Sequence, residues 1–297
     1  MNPYPDFLII GAMKCATSTL HKQLALQPGL FMSRPKELHF FSHDVHYRKG
    51  IDWYLSFFRQ APSQALCGES STSYSKLPDY PFTVDRIKKH FPNLKFIYAM
   101  RHPIDRLISH FIHEMTQKTL PKSIPISRAI NATPRLVEYG FYARQLEPYL
   151  RAFGKDKILP LFSERLKTHP QEELERICRF IGYRGKPAWN FLTEPQNISE
   201  RRLIKIPVFS FFAQSPSLHY VRRLLPQKIR EKVRSRFTAD IEGIEIPPEQ
   251  LDNLKKRFDD DLKILGFWLG TVLNCDNFKK SVQERAFNWI QNETVFP

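Results

Sequence analysis

The stretch Phe7-Leu-Ile-Ile-Gly-Ala-Met-Lys-Cys-Ala-Thr-Ser-Thr-Leu20 runs from an apolar segment through Gly11 into a hydroxyl-rich one. It reads as a buried strand over 5–11 that turns directly into a helix over 17–27, ended by Pro28-Gly29. A strand-to-helix turn of this kind is a phosphate cradle. Backbone N–H groups of the turn and the first helical turn point at an anion, and the helix dipole favours negative charge there. Lys14, three positions after Gly11, adds a full positive charge, and Thr17, Ser18 and Thr19 add hydroxyl donors. The nucleotide-triphosphatase spacing of Gly, four residues, then Gly-Lys-Ser/Thr is absent. The turn therefore suits a phosphorylated ligand held by another recipe.

Working outward, Lys95-Phe-Ile-Tyr-Ala-Met100 has the continuous apolar character of a buried parallel strand. Metal-using phosphoryl transferases tend to end such a strand in an acid that holds Mg²⁺. Here it ends in Arg101, followed by His102-Pro103 and a helix to about Met115 that carries Ser109. Pro103 suits the first helical position, and Asp105 suits the positive end of the dipole. A guanidinium with a hydroxyl eight residues on fits a second phosphate.

Further strands are expected at Leu30–Ser33, Ala65–Glu69 and Lys157–Leu161. Helices are expected at Asp52–Phe58, Val84–His90, Phe141–Phe153, Pro170–Ile181 and Pro248–Leu265, the last closed by Gly266. Lys118–Pro134, with three prolines, reads as loop with at most one helical turn. Strands separated by helices predict a three-layer α/β fold with a central parallel sheet of about five strands. A core over about 5–185 and a C-terminal helical annex over about 186–297 are expected to make one domain, since no Gly/Ser linker divides them.

Composition bounds the partners. The 297 residues contain 45 Lys and Arg against 30 Asp and Glu, a net charge of +15, which asks for an anionic partner such as a nucleotide, an acidic glycan, a nucleic acid or a membrane surface. The basic stretch Tyr220–Phe237 could touch an anionic acceptor or lipid, or form a solvated helix face. Cys15, Cys67, Cys178 and Cys275 have no paired spacing, and no apolar run approaches the ~20 residues of a membrane span. A cytoplasmic location is expected. His102, His110 and His113 read as helix-surface or acceptor-cleft residues, because the nearby acids do not complete a metal set. Arg106 reads as structural, paired with a neighbouring carboxylate.

These motifs together resemble the sulfotransferases that use 3′-phosphoadenosine 5′-phosphosulfate (PAPS). Gly11–Leu20 is similar to that family's 5′-phosphosulfate loop, and Arg101-His-Pro-Ile-Asp-Arg-Leu-Ile-Ser109 to its 3′-phosphate motif. Pro35-Lys-Glu-Leu-His-Phe-Phe41 and Gly68-Glu-Ser-Ser-Thr-Ser-Tyr74 resemble segments of the heparan sulfate branch and its bacterial relatives. The resemblance covers about residues 5–270. It implies that Gly11, Lys14, Cys15, Ala16, Thr17, Ser18 and Thr19 bind the donor's 5′ end and that Arg101 and Ser109 bind its 3′-phosphate. Arg201 or Arg202 would reach the same phosphate from a loop that closes over the donor. It also implies that Lys14 stabilises the leaving phosphate, that Glu37 is the general base, and that no metal is needed. His39 is the rival base, or it orients Glu37. Glu37 could also be simply a loop carboxylate paired with Lys36 or Arg34.

Two departures are visible. The family's loop usually has Gly where Ala16 stands. Many glycosaminoglycan enzymes have Lys where Ser70 stands. The expected reaction is sulfuryl transfer to a hydroxyl or amine of a small molecule, a glycan or a glycolipid. Two other readings are a metal-dependent nucleotide kinase on a related fold and a non-enzymatic binder of nucleic acid or membrane built on residues 220–237.

Overall fold

The computed structural model describes residues 4–121, 123–192, 204–205, 238–239 and 244–290. Five strands, β1 (Phe7–Gly11), β2 (Leu30–Met32), β3 (Leu66–Ser70), β4 (Lys95–Met100) and β5 (Ile158–Phe162), form one sheet in the order β2-β3-β1-β4-β5. Every pairing in it is parallel. All five residues of β1 and of β5 are buried, as a sheet covered on both faces requires. The central parallel sheet expected from sequence is therefore present, in an α/β fold. A two-residue antiparallel pairing joins Ile204–Lys205 to Thr238–Ala239.

The helices are α1 (Thr17–Ala25), α2 (Asp44–Tyr47), α3 (Ile51–Leu55), α4 (Thr83–His90), α5 (Pro103–Thr116) and α6 (Ile126–Ala132). They continue with α7 (Arg135–Glu138), α8 (Tyr142–Phe153), α9 (Ser163–Thr168), α10 (Pro170–Ile181), α11 (Pro248–Leu269) and α12 (Phe278–Glu284). The crossover through α1 leads from β1 towards β2, on one side of the sheet order. The crossovers that follow β3 and β4 lead the other way, to β4 and β5. Right-handed connections in opposite directions leave a crevice where the order reverses, beyond the carboxyl ends of β1 and β4.

Some local expectations change. The 118–134 region holds the helix α6, because Pro121, Pro125 and Pro134 bracket it instead of interrupting it. Ile126, Ala129 and Ile130, at helical spacing, bury one face. The last long helix does not stop at Gly266 but runs to Leu269, and Gly270 caps it at φ 65°. The Thr271 N–H bonds back to the Gly266 carbonyl at 2.9 Å, a Schellman closure. Gly266 is needed for another reason: a Cβ there would sit 2.5 Å from the Thr271 carbonyl oxygen. Four short helices, α2, α7, α9 and α12, lie outside the expected ones; Phe278 and Val282 of α12 are fully buried.

His102 and His110 are buried, contrary to the surface reading: His102 Nε2 lies 2.9 Å from the Cys275 carbonyl, and His110 pairs with Glu114 at 3.1 Å. Arg106 is structural as expected, but its partner is not a carboxylate. Its buried guanidinium donates to the Leu136 carbonyl. The four cysteines are free and buried. No helix among the described residues is long and apolar enough to cross a membrane.

Candidate active site

Because the sheet is parallel, the carboxyl ends of β3, β1 and β4 lie side by side on one edge, roughly 4.8 Å from strand to strand. From β1 the chain enters a turn in which Lys14 (φ 72°) and Ala16 (φ 62°) adopt the left-handed conformation, Ala16 being the N-cap of α1. Residues in this region turn successive N–H groups into one concavity, an anion-binding nest. Ala16 brings no side-chain acceptor, and the first turn of α1 has no acid, so nothing on α1 itself competes with an anion for those donors. The Gly that the resemblance leads one to expect here would take φ near +60° without the cost that a Cβ brings. Thr17 is buried and Ser18 and Thr19 are half-buried. Burial pushes the Cys15 thiol up to about 12, so its place in the loop is that of a packed apolar group.

Arg101 follows β4 directly, and its guanidinium lies 3.9 Å from Asp105. Pro103 occupies the first turn of α5, and the His102 ring accepts from the Asp105 N–H at 3.5 Å. Ser109 lies two turns along α5 and is buried. One side chain joins the turns after β1 and β4: the Tyr142 hydroxyl donates to the Arg101 carbonyl at 2.6 Å and lies 3.9 Å from Cys15 Sγ in the β1 turn. Tyr142 begins α8, whose free N–H groups at Ala143 and Arg144 are capped by the Asp261 carboxylate of α11 at 2.9 and 3.0 Å. The C-terminal helix thus holds in place the residue that spans the crevice.

The third element is the loop after β2. Leu38, Phe40 and Phe41 are buried, with Phe40 stacked on Tyr54 at 4.8 Å, while Glu37 and His39 are half-buried. Glu37 (φ 65°) and His39 (φ 55°) both take left-handed backbone, held by bonds to the end of β3. The Glu37 N–H donates to the Ser70 carbonyl at 2.9 Å, and the His39 N–H to Ser71 Oγ at 3.0 Å. Ser71 in turn donates to Glu69, a fully buried carboxylate that also accepts from Tyr54 and Tyr74.

Glu37 Oε2 accepts the Thr72 N–H at 2.7 Å and Oε1 is paired with Lys36. Burial alone would raise its carboxyl. The Lys36 ammonium, the Thr72 N–H and His39 outweigh that and hold it below the usual carboxylate range. Burial pushes the His39 imidazole down to about 4 against the pull of Glu37, with His43, Lys76 and His46 adding to the fall. At neutral pH the site therefore holds an ionised carboxylate and a neutral imidazole, with His39 Nδ1 3.9 Å from Glu37 Oε2.

The structure brings the Lys14 turn, Arg101, Glu37 and His39 to one edge. Arg201 and Arg202 and the basic stretch 220–237 lie outside the described residues. Tyr142 and Thr72 are not legible from sequence, Tyr142 because it is distant in the chain and Thr72 because it acts through its backbone N–H. Lys36 pairs with Glu37, one of the two partners expected for that carboxylate. His21 was also passed over; it faces Lys36 and Glu37 from α1, and its buried Nδ1 has no partner among the described residues.

The model of the sulfotransferase family matches residues 35–187, just over half of the chain, and the protein belongs to that family. Mouse heparan sulfate glucosamine 3-O-sulfotransferase 5 is 29% identical over 187 residues, covering 60% of this chain and 53% of the mouse protein. Human bifunctional heparan sulfate N-deacetylase/N-sulfotransferase 2 is 29% identical over 199 residues, covering 60% of this chain and 22% of the human one. The chain thus spans about half or less of those relatives. A sulfotransferase from Alicyclobacillus acidocaldarius shares the fold, with a TM-score of 0.56 at 24% identity over 71% of this chain and 92% of that one.

Proposed function

We propose that this protein transfers a sulfuryl group from PAPS to a hydroxyl or amine of a carbohydrate or glycolipid acceptor, by in-line displacement without a metal ion. PAPS supplies a sulfuryl group on a phosphate leaving group. Lys14 and the nest around it hold the 5′ end and stabilise charge developing on the leaving oxygen. Arg101, with Ser109, holds the 3′-phosphate and so selects this donor over nucleotides that lack it. A transferred sulfuryl carries less negative charge than a phosphoryl, so fixed cations can do what Mg²⁺ does for kinases. The carbohydrate class is supported by the heparan sulfate relatives and by the Pro35–Phe41 segment.

In this reading two side chains compete to take the acceptor's proton. His39 is neutral, and its Nε2 has no partner among the described residues, whereas both Glu37 oxygens are engaged by Lys36 and Thr72. The geometry supports His39 Nε2 as the proton acceptor, with the Glu37 carboxylate stabilising the imidazolium. The second reading, Glu37 itself as base, is supported by its ionised state, since an acceptor oxygen bonded to sulfur becomes acidic enough for a weak base. Single-turnover rates of Glu37→Gln and His39→Ala separate them, because the variant lacking the base loses roughly 10²–10⁴-fold.

The observation that carries the proposal is the adjacency of the β1 and β4 turns, joined through the Tyr142 hydroxyl. Thermal-shift titration with adenosine 3′,5′-bisphosphate, AMP and ATP, each with and without Mg²⁺, tests it. The bisphosphate is expected to stabilise most, whether or not Mg²⁺ is present. Preference for ATP with Mg²⁺ would make the protein a kinase, and indifference to all three would leave a non-enzymatic binder.

A further inference from the structure

Beside the catalytic loop three histidines crowd together, His39 and His43 with ring centroids 4.6 Å apart and His43 and His46 5.6 Å apart. Their nitrogens do not converge on one point. His46 Nδ1 is bound to the Leu38 carbonyl at 2.9 Å, and the other two rings belong to a line of hydrogen bonds. His39 Nδ1 lies 2.7 Å from Ser73 Oγ, and Ser73 Oγ lies 2.7 Å from Ser42 Oγ. Ser42 Oγ lies 2.9 Å from His43 Nδ1, and His43 Nε2 lies 3.2 Å from the Tyr80 hydroxyl. Both serines are buried, at 1% and 5% exposure, while His43 and Tyr80 are half-buried. With Asp44, Asp79 and Phe82 they line an open cleft of about 250 Å³. The line thus starts at a residue of the active site, crosses two buried hydroxyls and ends at solvent.

We propose that Ser73, Ser42 and His43 form a proton outlet that carries the acceptor's proton from His39 to solvent. The outlet rests on sulfuryl transfer with His39 as the proton acceptor. As the acceptor oxygen bonds to sulfur and the sulfur–oxygen bond to the leaving phosphate breaks, the acceptor's proton passes to His39 Nε2. The Nδ1 proton then moves to Ser73 Oγ, the Ser73 proton to Ser42 Oγ and the Ser42 proton to His43 Nδ1. The His43 Nε2 proton leaves to water in the cleft. One proton enters and one leaves, and no electrons are transferred between groups. Before the next turnover the two hydroxyls must rotate back. Both imidazoles must also return, by turning over or by exchange with water, to their starting tautomers, His39 protonated at Nδ1 and His43 at Nε2. Ser42 also has the His39 carbonyl within 3.2 Å, a longer contact than the one to His43. The groups facing His39 are Glu37, Lys76, His43 and His46; those facing His43 are His39, His46, Lys76, Asp44 and Tyr80. Lys76 opposes a lasting positive charge on either ring, which suits a path that a proton crosses and does not occupy.

Two measurements on the full chain test the outlet. Imidazole ¹⁵N NMR of the unliganded protein should find His39 protonated at Nδ1 and His43 at Nε2; the opposite tautomers at both would refute the direction of the line. With PAPS and a desulfated heparan oligosaccharide as acceptor probe, His43→Ala should complete its first turnover at the parent rate. Its steady-state rate should then fall roughly tenfold, with KM for PAPS unchanged, and added imidazole should restore it. Ser42→Ala should show the same two phases without rescue. A steady-state rate equal to the parent's, or an equal loss in both phases that imidazole does not relieve, would overturn the outlet. Should His39→Ala keep the parental first-turnover rate, the assignment of His39 has failed, which is a separate result.

Discussion

Lys14 stands in left-handed backbone at the tip of the β1 turn, next to the nest that α1 begins. Its ammonium is proposed to meet charge that exists only as the donor's bond to sulfur breaks. Lys14→Ala is therefore expected to lower turnover by roughly 10²–10³-fold, with KM for the donor changing far less; a rate within twofold of the parent would remove it from the mechanism. Glu69 makes a pH-dependent prediction. Burial pushes its carboxyl up to about 7, against the hydrogen bonds from Ser71, Tyr74 and Tyr54. Its folded value lies above the unfolded one, so the fold binds the proton more tightly. That stabilisation is full below about pH 4.5 and is lost as pH rises through 7. Glu69→Gln cannot ionise, so its stability relative to the parent should improve by roughly 2–3 kcal/mol between pH 5 and pH 8. Urea unfolding at both values measures this, and a pH-independent difference would mean that Glu69 is already ionised in the fold at pH 5.

At the scale of elements, α8 links the turns after β1 and β4 through Tyr142, and α11 holds α8 through Asp261. Tyr142→Phe removes the hydroxyl from the Arg101 carbonyl inside a buried site. It should destabilise the protein by about 1–3 kcal/mol and weaken adenosine 3′,5′-bisphosphate binding with no loss of secondary structure by circular dichroism. A variant that keeps full affinity would show that the turns are positioned independently. Gly266→Ala tests the end of α11. Alanine is the better helix former by roughly 1 kcal/mol, yet its Cβ would meet the Thr271 carbonyl oxygen at 2.5 Å. Chemical denaturation should show a net loss of roughly 1–2 kcal/mol from overpacking, and a gain would restore Gly266 to the role of helix terminator.

Across the whole molecule, a net charge of +15 sets a field that favours anions before any contact is made. The topology aims part of it: Lys14 and Arg101 share the crevice between strands whose crossovers diverge. Affinity for the bisphosphate, read by calorimetry, is expected to fall as salt rises from about 0.05 to 0.5 M because the Debye length contracts several-fold. Arg101→Ala should flatten that dependence and cost roughly 1.5–3 kcal/mol in bisphosphate affinity, while AMP binding stays as in the parent. Equal losses for both nucleotides would assign Arg101 to the sheet and not to the 3′-phosphate.

The cradle after β1, the arginine after β4 and the buried strands could be read along the chain, because phosphate turns and parallel strands are written in contiguous residues. Turn chemistry and apolar runs act over a few positions, and their physics needs no distant partner. The long-range decisions were different. Three prolines were read as breaking a segment in which they bracket a helix, since only packing shows that Ile126, Ala129 and Ile130 find a buried face. Gly266 looked like a stop signal because nothing local reveals the Thr271 carbonyl folding back over it. Tyr142 and the Ser73–Ser42–His43 line depend on contacts between segments tens of residues apart, which folding alone creates. The sequence by itself determined which groups are proposed to hold an anion. The tertiary structure decided that β1 and β4 lie adjacent, so that the two proposed anion sites stand side by side, because strand order is a property of the assembled sheet and not of any strand within it.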